Sequence, residues 1–365
     1  MTMDRTRTCR ECGVPLGISR TMSWNSNGTI TQKGDPLHRM IFFESENLDR
    51  MWSRISEELG VTMEHLWEMV IASKSRATRA FLYRTLPWYL NLAARVVGYR
   101  TLMSTIEAQG LVMGYGKITL GGQYPARGKP QRVTVFIEDP YSLPLFCGDF
   151  KGSAEVLERR QATLTYQALD ERRHQIDVTI REEKLEKELF QVEDREAPVP
   201  GDITYNPCPS CGAPRELSQF EWNLKTGVIR DTVTGRRLAF FGTAGLKAIF
   251  SELEHELGER VFDTVVDAER ENTIAAMKPE EARGGFNFLR RIAALRGMGL
   301  LTSLEITETT MRASMVNPSI PQYLLGLALG VYELATGKRG IYTWKMDPGG
   351  EISVEITPRE GTAQA

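Results

Sequence analysis

Long apolar runs are missing from this sequence: no stretch approaches the roughly 20 residues that a membrane-spanning helix needs. The polar opening MTMDRTRTCREC has no apolar core of the kind a secretory signal carries. Both absences lead to the expectation of a cytoplasmic protein. An excess of charge is missing too. With 45 basic against 47 acidic residues the net charge is −2, which gives no bulk attraction to nucleic acid or anionic lipid. Histidine is scarce, with four in 365 residues, and none lies at ligand spacing from a cysteine. There is no dinucleotide fingerprint, no recognisable nucleophile–base pair and no open metal position, so an enzyme ranks last among the functional classes.

What is present describes an ordinary globular chain, 41% hydrophobic and 25% charged, long enough for two cores. Five cysteines are an odd number, and four of them form two CxxC pairs, Cys9/Cys12 and Cys208/Cys211. In a reducing compartment that pattern points to metal before disulfide. Cys147 is left over and reads as a small buried apolar residue.

The two pairs open a repeat. CRECGVP (Cys9 to Pro15) lies on CPSCGAP (Cys208 to Pro214) at an offset of 199. After a one-residue slip Trp24 falls on Trp222, Phe42-Phe43 on Phe240-Phe241, Trp52 on Phe250 and Leu59-Gly60 on Leu257-Gly258. Further on, Asp139-Pro140 matches Asn317-Pro318, Gly148 matches Gly326 and Gly152 matches Gly330 at an offset of 178, so the first copy carries about 20 extra residues, in part around Arg127–Pro130. The boundary falls in EDREAPVPGDITYNP, giving a first repeat over 1–192, a linker over 193–206 and a second repeat over 207–365.

Each copy begins with a knuckle and a hairpin, with Trp24 and Ile30 flanking one turn and Trp222 and Val228 the other. A strand ending in Phe-Phe then leads into an amphipathic helix (Leu48, Trp52, Ile55, Leu59). Alternation follows at Val133, Val135, Ile137 and at Ile352, Val354, Ile356, with an apolar helix over Pro321 to Leu334 that stops near Thr336-Gly337. The expected fold class is α+β: two homologous repeats, each a CxxC knuckle with a β-hairpin followed by helices and an antiparallel sheet, paired as a pseudo-twofold dimer.

A structural zinc site takes four ligands and one knuckle supplies two. The economical solution is that Cys9, Cys12, Cys208 and Cys211 close on one zinc ion shared between the repeats. Iron would accept the same four thiolates. A metal-free turn and a redox dithiol are the alternatives, although redox CxxC motifs usually open a helix, whereas these precede hairpins. His255 and His65 read as solvated helix positions, and Arg76, Arg79 and Arg84 as a solvent-facing basic stripe.

The segment from Val316-Asn317-Pro318 through Gly326, Gly330, Tyr332-Glu333 and Gly337 to Tyr342-Thr343-Trp344 and Glu351-Ile352-Ser353-Val354 resembles the four-vinyl-reductase domain family. Gly114-Tyr115-Gly116-Lys117-Ile118 is similar to that family's glycine-aromatic-glycine strand entry. The resemblance implies an α+β fold shared with trafficking-complex subunits of the TRAPP type, a hydrophobic cavity between helices and sheet, and roles as sensors of aromatic compounds or accessory proteins in bacteriochlorophyll synthesis. The metal that some such sensors bind near the terminal hairpin does not carry over, because Thr163 to Ile180 and Ile341 to Ile356 contain no cysteine.

The leading expectation is a zinc-stabilised protein that binds or senses a small hydrophobic molecule and signals through a protein partner; the apolar segments Leu86 to Met103 and Phe286 to Leu301 read either as plain core, the commoner case, or as the lining of its pocket. A structural or assembly subunit docking another protein comes next. A reductase or accessory factor in tetrapyrrole or aromatic metabolism comes last.

Overall fold

A computed structural model describes residues 7–85, 99–121, 131–185 and 198–359. The Arg127–Pro130 turn and the side chains from Leu86 to Met103 lie outside the described residues. Among those described, ten α-helices and three antiparallel sheets make a mixed α+β fold.

After the first knuckle come α1 (Leu16–Thr21), the hairpin β1 (Met22–Trp24) and β2 (Ile30–Gln32), and the longer β3 (Asp35–Glu44). Helices α2 (Glu46–Leu59), α3 (Met63–Thr85) and α4 (Tyr99–Met113) precede a sheet of β4 (Lys117–Gly121), β5 (Arg132–Glu138), β6 (Arg160–Ala168) and β7 (Arg173–Lys184), with α5 (Leu143–Glu158) between β5 and β6. Beyond residues 198–206 the elements return in similar order. A 3₁₀ turn (Arg215–Gln219) leads to β8 (Phe220–Asn223), β9 (Val228–Asp231) and β10 (Arg237–Gly242). Then come α6 (Thr243–Leu257), α7 (Arg260–Ala276), α8 (Pro279–Ala282) and α9 (Gly285–Leu295). The last sheet comprises β11 (Leu300–Ile306), β12 (Met311–Val316), β13 (Gly340–Met346) and β14 (Ile352–Pro358), with α10 (Pro321–Thr336) between β12 and β13. The two four-stranded sheets run β4-β5-β7-β6 and β11-β12-β14-β13, which is one topology twice.

The third sheet joins strands from residues 22–44 to strands from residues 220–242, in the order β1-β2-β3-β10-β9-β8. At its centre β3 and β10 run antiparallel with Phe42 opposite Phe240, flanked by Phe43↔Ala239 and Ile41↔Phe241. Period-two alternation along these strands divides the interior. Ile41, Phe43, Ala239 and Phe241 face a continuous core shared with the helices, while Met40, Phe42, Leu238 and Phe240 face a second core that includes the cysteines. Phe42 and Phe240 stack with ring centroids 4.5 Å apart.

Trp24 pairs with Ile30 as expected. In the second hairpin Trp222 pairs with Ile229 and Asn223 with Val228, so that Trp222 and Val228 flank the turn in adjacent pairs. Helical turns separate both knuckles from their hairpins.

Each hairpin docks on the far side of the chain. The Trp24 indole donates to the Leu295 carbonyl (2.9 Å) and that of Trp222 to the Val112 carbonyl (3.2 Å). A Cβ on Gly28 would lie 2.3 Å from Gly299 O, and one on Gly227 would lie 2.4 Å from Gly116 O, so only glycine permits these approaches. Arg39 donates to the carbonyls of Asn317 (2.6 Å) and Pro318 (3.1 Å), while Arg237 donates to those of Asp139 (2.6 Å) and Pro140 (3.1 Å). Asp139 and Asn317 both have positive φ, 51° and 53°.

Helix pairs α3/α5 and α7/α10 cross closely at glycines. Gly148 packs on Ile71 and Lys74, and Gly326 on Val266 and Glu269. Residues 198–206 are tied down as well: Ile203 N–H donates to Ser26 O, Val199 exchanges two bonds with the Asn317 amide, and Tyr205 donates to Ala294 O.

Candidate metal centre

Both knuckles are built alike. Cys9 N–H bonds Val14 O (2.8 Å) and Gly13 N–H returns to Cys9 O (3.0 Å); Cys208 N–H bonds Ala213 O (2.8 Å) and Gly212 N–H returns to Cys208 O (2.8 Å). The return requires positive φ, which Gly13 (74°) and Gly212 (76°) supply. Bridges Thr8↔Pro15 and Pro207↔Pro214 close each loop at its base. In each knuckle the two thiols are thereby fixed by backbone bonds made before any metal is considered.

The four Sγ atoms lie within 4.8 Å of one another and could hold a metal ion. Cys9 Sγ is 3.8 Å from Cys208 Sγ and Cys12 Sγ is 3.5 Å from Cys211 Sγ. Zinc–sulfur bonds of about 2.3 Å in a tetrahedron place sulfurs about 3.8 Å apart, so the donor set and its spacing fit one ion. All five cysteines are free thiols.

Cys9, Cys12 and Cys208 are buried and Cys211 half-buried, among Val14, Ile18, Ala213, Leu217 and Phe220. Backbone amide donation, foremost from Cys12, brings the Cys9 thiol down to about 7, whereas burial raises those of Cys12 and Cys211. The Cys9 sulfur thus ionises more readily than those of Cys12 and Cys211, which a bound cation would favour as thiolates. Glu11 reaches from the first knuckle to the second, accepting from Ser210 Oγ (2.7 Å) and pairing with Arg215, with one oxygen 3.7 Å from Cys208 Sγ. Its place as an inter-knuckle contact gave no signal in the sequence.

The other candidates separate from this centre. Cys147 is fully buried in α5 and its thiol is raised by burial. His65 and His255 are exposed. The arginines of α3 do not form a solvent-facing stripe. Arg76 pairs with Glu252, Arg79 lies buried against Glu155 (2.6 Å) and Arg84 is 3.5 Å from Asp35, because α3 is covered by α5 and α6.

A cleft of about 760 Å³ opens between α8, the start of α9, the end of β11 and the end of α10. Phe286 lines it, within the stretch expected to border a pocket, alongside Leu304, Ile306 and Ala335.

The molecule is therefore an α+β protein with a buried four-cysteine cluster assembled from distant parts of its chain. No protein-family model matches it, and no curated protein does. Among solved structures, the phenol-responsive sensory domain of the transcription activator PoxR, with phenol, is similar over 38% of this chain and 85% of that one, at 17% identity and a TM-score of 0.32. An oxygen-binding H-NOX domain related to soluble guanylate cyclases is similar over 33% of this chain and 74% of that one, at 14% identity and a TM-score of 0.21. Neither likeness bears on what this chain binds. No helix among the described residues is long and apolar enough to cross a membrane.

Proposed function

We propose that this chain is an internally duplicated pair of four-vinyl-reductase-like repeats, 1–192 and 207–365, clamped about a pseudo-twofold axis by one structural zinc ion, and that it binds or senses a small molecule. The observation that carries the clamp is the meeting of two thiols from each knuckle at tetrahedral spacing. Support for the duplication comes from the central pairing, in which Phe42 faces Phe240 and the neighbours exchange symmetrically, and from matching contacts: Arg39 to Asn317 O as Arg237 to Asp139 O, and Trp24 to Leu295 O as Trp222 to Val112 O. Bound zinc would hold the halves together by neutralising thiolates that burial otherwise disfavours, and the buried thiols suit a reducing compartment such as the cytoplasm. The cleft beside Phe286 supports small-molecule binding.

Elemental analysis tests the clamp. The native chain should contain one zinc, and a Cys208→Ser/Cys211→Ser variant that keeps the first knuckle should contain none. Two metals per chain, or retention by the variant, would overturn the shared site.

A second reading, an assembly subunit, draws on the edge strand β13, which leaves Ile341, Trp344 and Met346 exposed. Light scattering across a wide concentration range, on native protein and on Ile341→Lys, measures whether that edge mediates association.

A further inference from the structure

The cleft has a chemical character that the metal site does not explain. Its lining is mixed: Phe286, Leu304, Ile306 and Ala335 supply apolar surface, Thr307 and Thr336 supply hydroxyls, and the exposed Arg283 and Lys338 bring two cations to its rim. Both are held in place by main-chain acceptors: Arg283 Nε donates to Ala335 O (3.2 Å) and Lys338 Nζ to Glu308 O (3.1 Å). Neither has a carboxylate within ion-pairing reach among the described residues. Glu308 also borders the cleft with its exposed side chain, so the rim carries two positive charges against one negative. The Phe286 ring is braced by the Arg290 guanidinium 5.6 Å from its centroid. The volume falls inside the range of roughly 300–1,000 Å³ typical of small-molecule sites.

We propose that this cleft binds a small amphipathic organic anion, with its hydrocarbon or aromatic body on Phe286, Leu304 and Ile306 and its carboxylate, sulfonate or phosphate head between Arg283 and Lys338. This deepens the ligand-binding reading above and rests on it. The fixed Nε of Arg283 leaves the two terminal guanidinium nitrogens to accept a planar head group, a geometry suited to bidentate anion recognition. An apolar body without a head group would bury the same surface but leave both cations without a counter-charge. The anion adds affinity that a neutral analogue of equal size lacks.

Two fluorescent probes with similar aromatic bodies separate these terms: 8-anilinonaphthalene-1-sulfonate, which carries an anionic head, and N-phenyl-1-naphthylamine, which does not. Both are titrated into the full chain, with metal content measured on the same preparation. The sulfonate should bind at one site per chain. Arg283→Gln/Lys338→Gln should weaken it about tenfold or more while changing the neutral probe by less than about twofold. Phe286→Ala should weaken both, with circular dichroism and metal content unchanged. Sulfonate binding that is indifferent to the double substitution, or spread over many weak sites, overturns the proposal. Binding of the neutral probe with equal or greater affinity removes the anion and leaves a ligand pocket. Failure of both probes on protein that holds its metal removes the small-molecule reading and leaves the clamp.

Discussion

Glu269 is fully enclosed between α7, α2 and β3, and its environment decides its protonation. Burial, and then the Glu44 carboxylate, push its carboxyl well above the ordinary range, while Asn272, Arg236 and Arg296 pull the other way. Around it Asn47 donates from 3.4 Å, Thr273 lies at 3.5 Å and Tyr323 packs nearby. An acid whose folded value is raised binds more protons when folded than when unfolded. Its contribution to stability is complete below the unfolded value, about 4.3, and is lost as pH rises through the folded one. Glu269→Gln keeps an acceptor for Asn47 and has no charge to bury. The variant should match the native melting temperature near pH 4 and exceed it by a margin that widens toward pH 8. A variant less stable than the native protein at neutral pH would mean that Glu269 is ionised and held by Arg236 and Arg296. Nothing in the sequence marks Glu269, because its setting depends on side chains from both ends of the chain.

At the scale of elements, the two glycine pairs determine how closely helices approach. Gly326 and Gly330 let α10 lie against α7, where a Cβ on Gly326 would come within 2.5 Å of Val266 O, a backbone atom that cannot swing aside. Gly326→Ala should cost about 2–3 kcal/mol in urea denaturation. Gly34→Ala, at an ordinary φ with nothing within 4 Å, should stay within about 0.5 kcal/mol of the native chain. Equal costs would mean that the two helices relax around the added methyl without penalty. These glycines were legible in the sequence as matched positions, as were the knuckles, the Phe-Phe strands and the apolar helix that stops at Gly337, since each is a local pattern. The register of the preceding helices was not. Carrying the offset of 198 through α3 and α7 sets His65 on Asp263, yet Ile71 and Lys74 pack as Val266 and Glu269 do, 195 residues on. A three-residue difference that arises between Gly60 and Ile71 rotates every later assignment by most of a helical turn, and only the packing reveals it. Contacts such as Arg39 to Asn317 were equally hidden, since no local pattern encodes an acceptor 278 residues away.

For the whole molecule, the two proposed repeats, 1–192 and 207–365, share a sheet and a core. The six-stranded sheet takes three strands from residues 22–44 and three from residues 220–242, and one continuous apolar core runs from Ile41 and Trp52 through Phe250 to Tyr323 and Ile356. Each hairpin completes its hydrogen bonds on the opposite side, at Leu295 for Trp24 and at Val112 for Trp222. A half on its own would expose one long edge at β3 or β10 and leave an indole N–H, a buried arginine and two thiols without partners. Such a fragment loses more than interface area, so the two halves should unfold together. Heating or urea, followed by tryptophan fluorescence and far-ultraviolet circular dichroism, should give coincident transitions, and the calorimetric and van't Hoff enthalpies should agree. A chelator that strips the proposed zinc should lower the midpoint without splitting the transition, because the sheet and core still join the halves while four clustered thiols lose their cation. Two separated transitions in the metal-loaded protein would mean that the repeats fold as independent domains and merely touch. A split that appears only after chelation would make the metal, rather than the shared sheet, the source of their cooperativity.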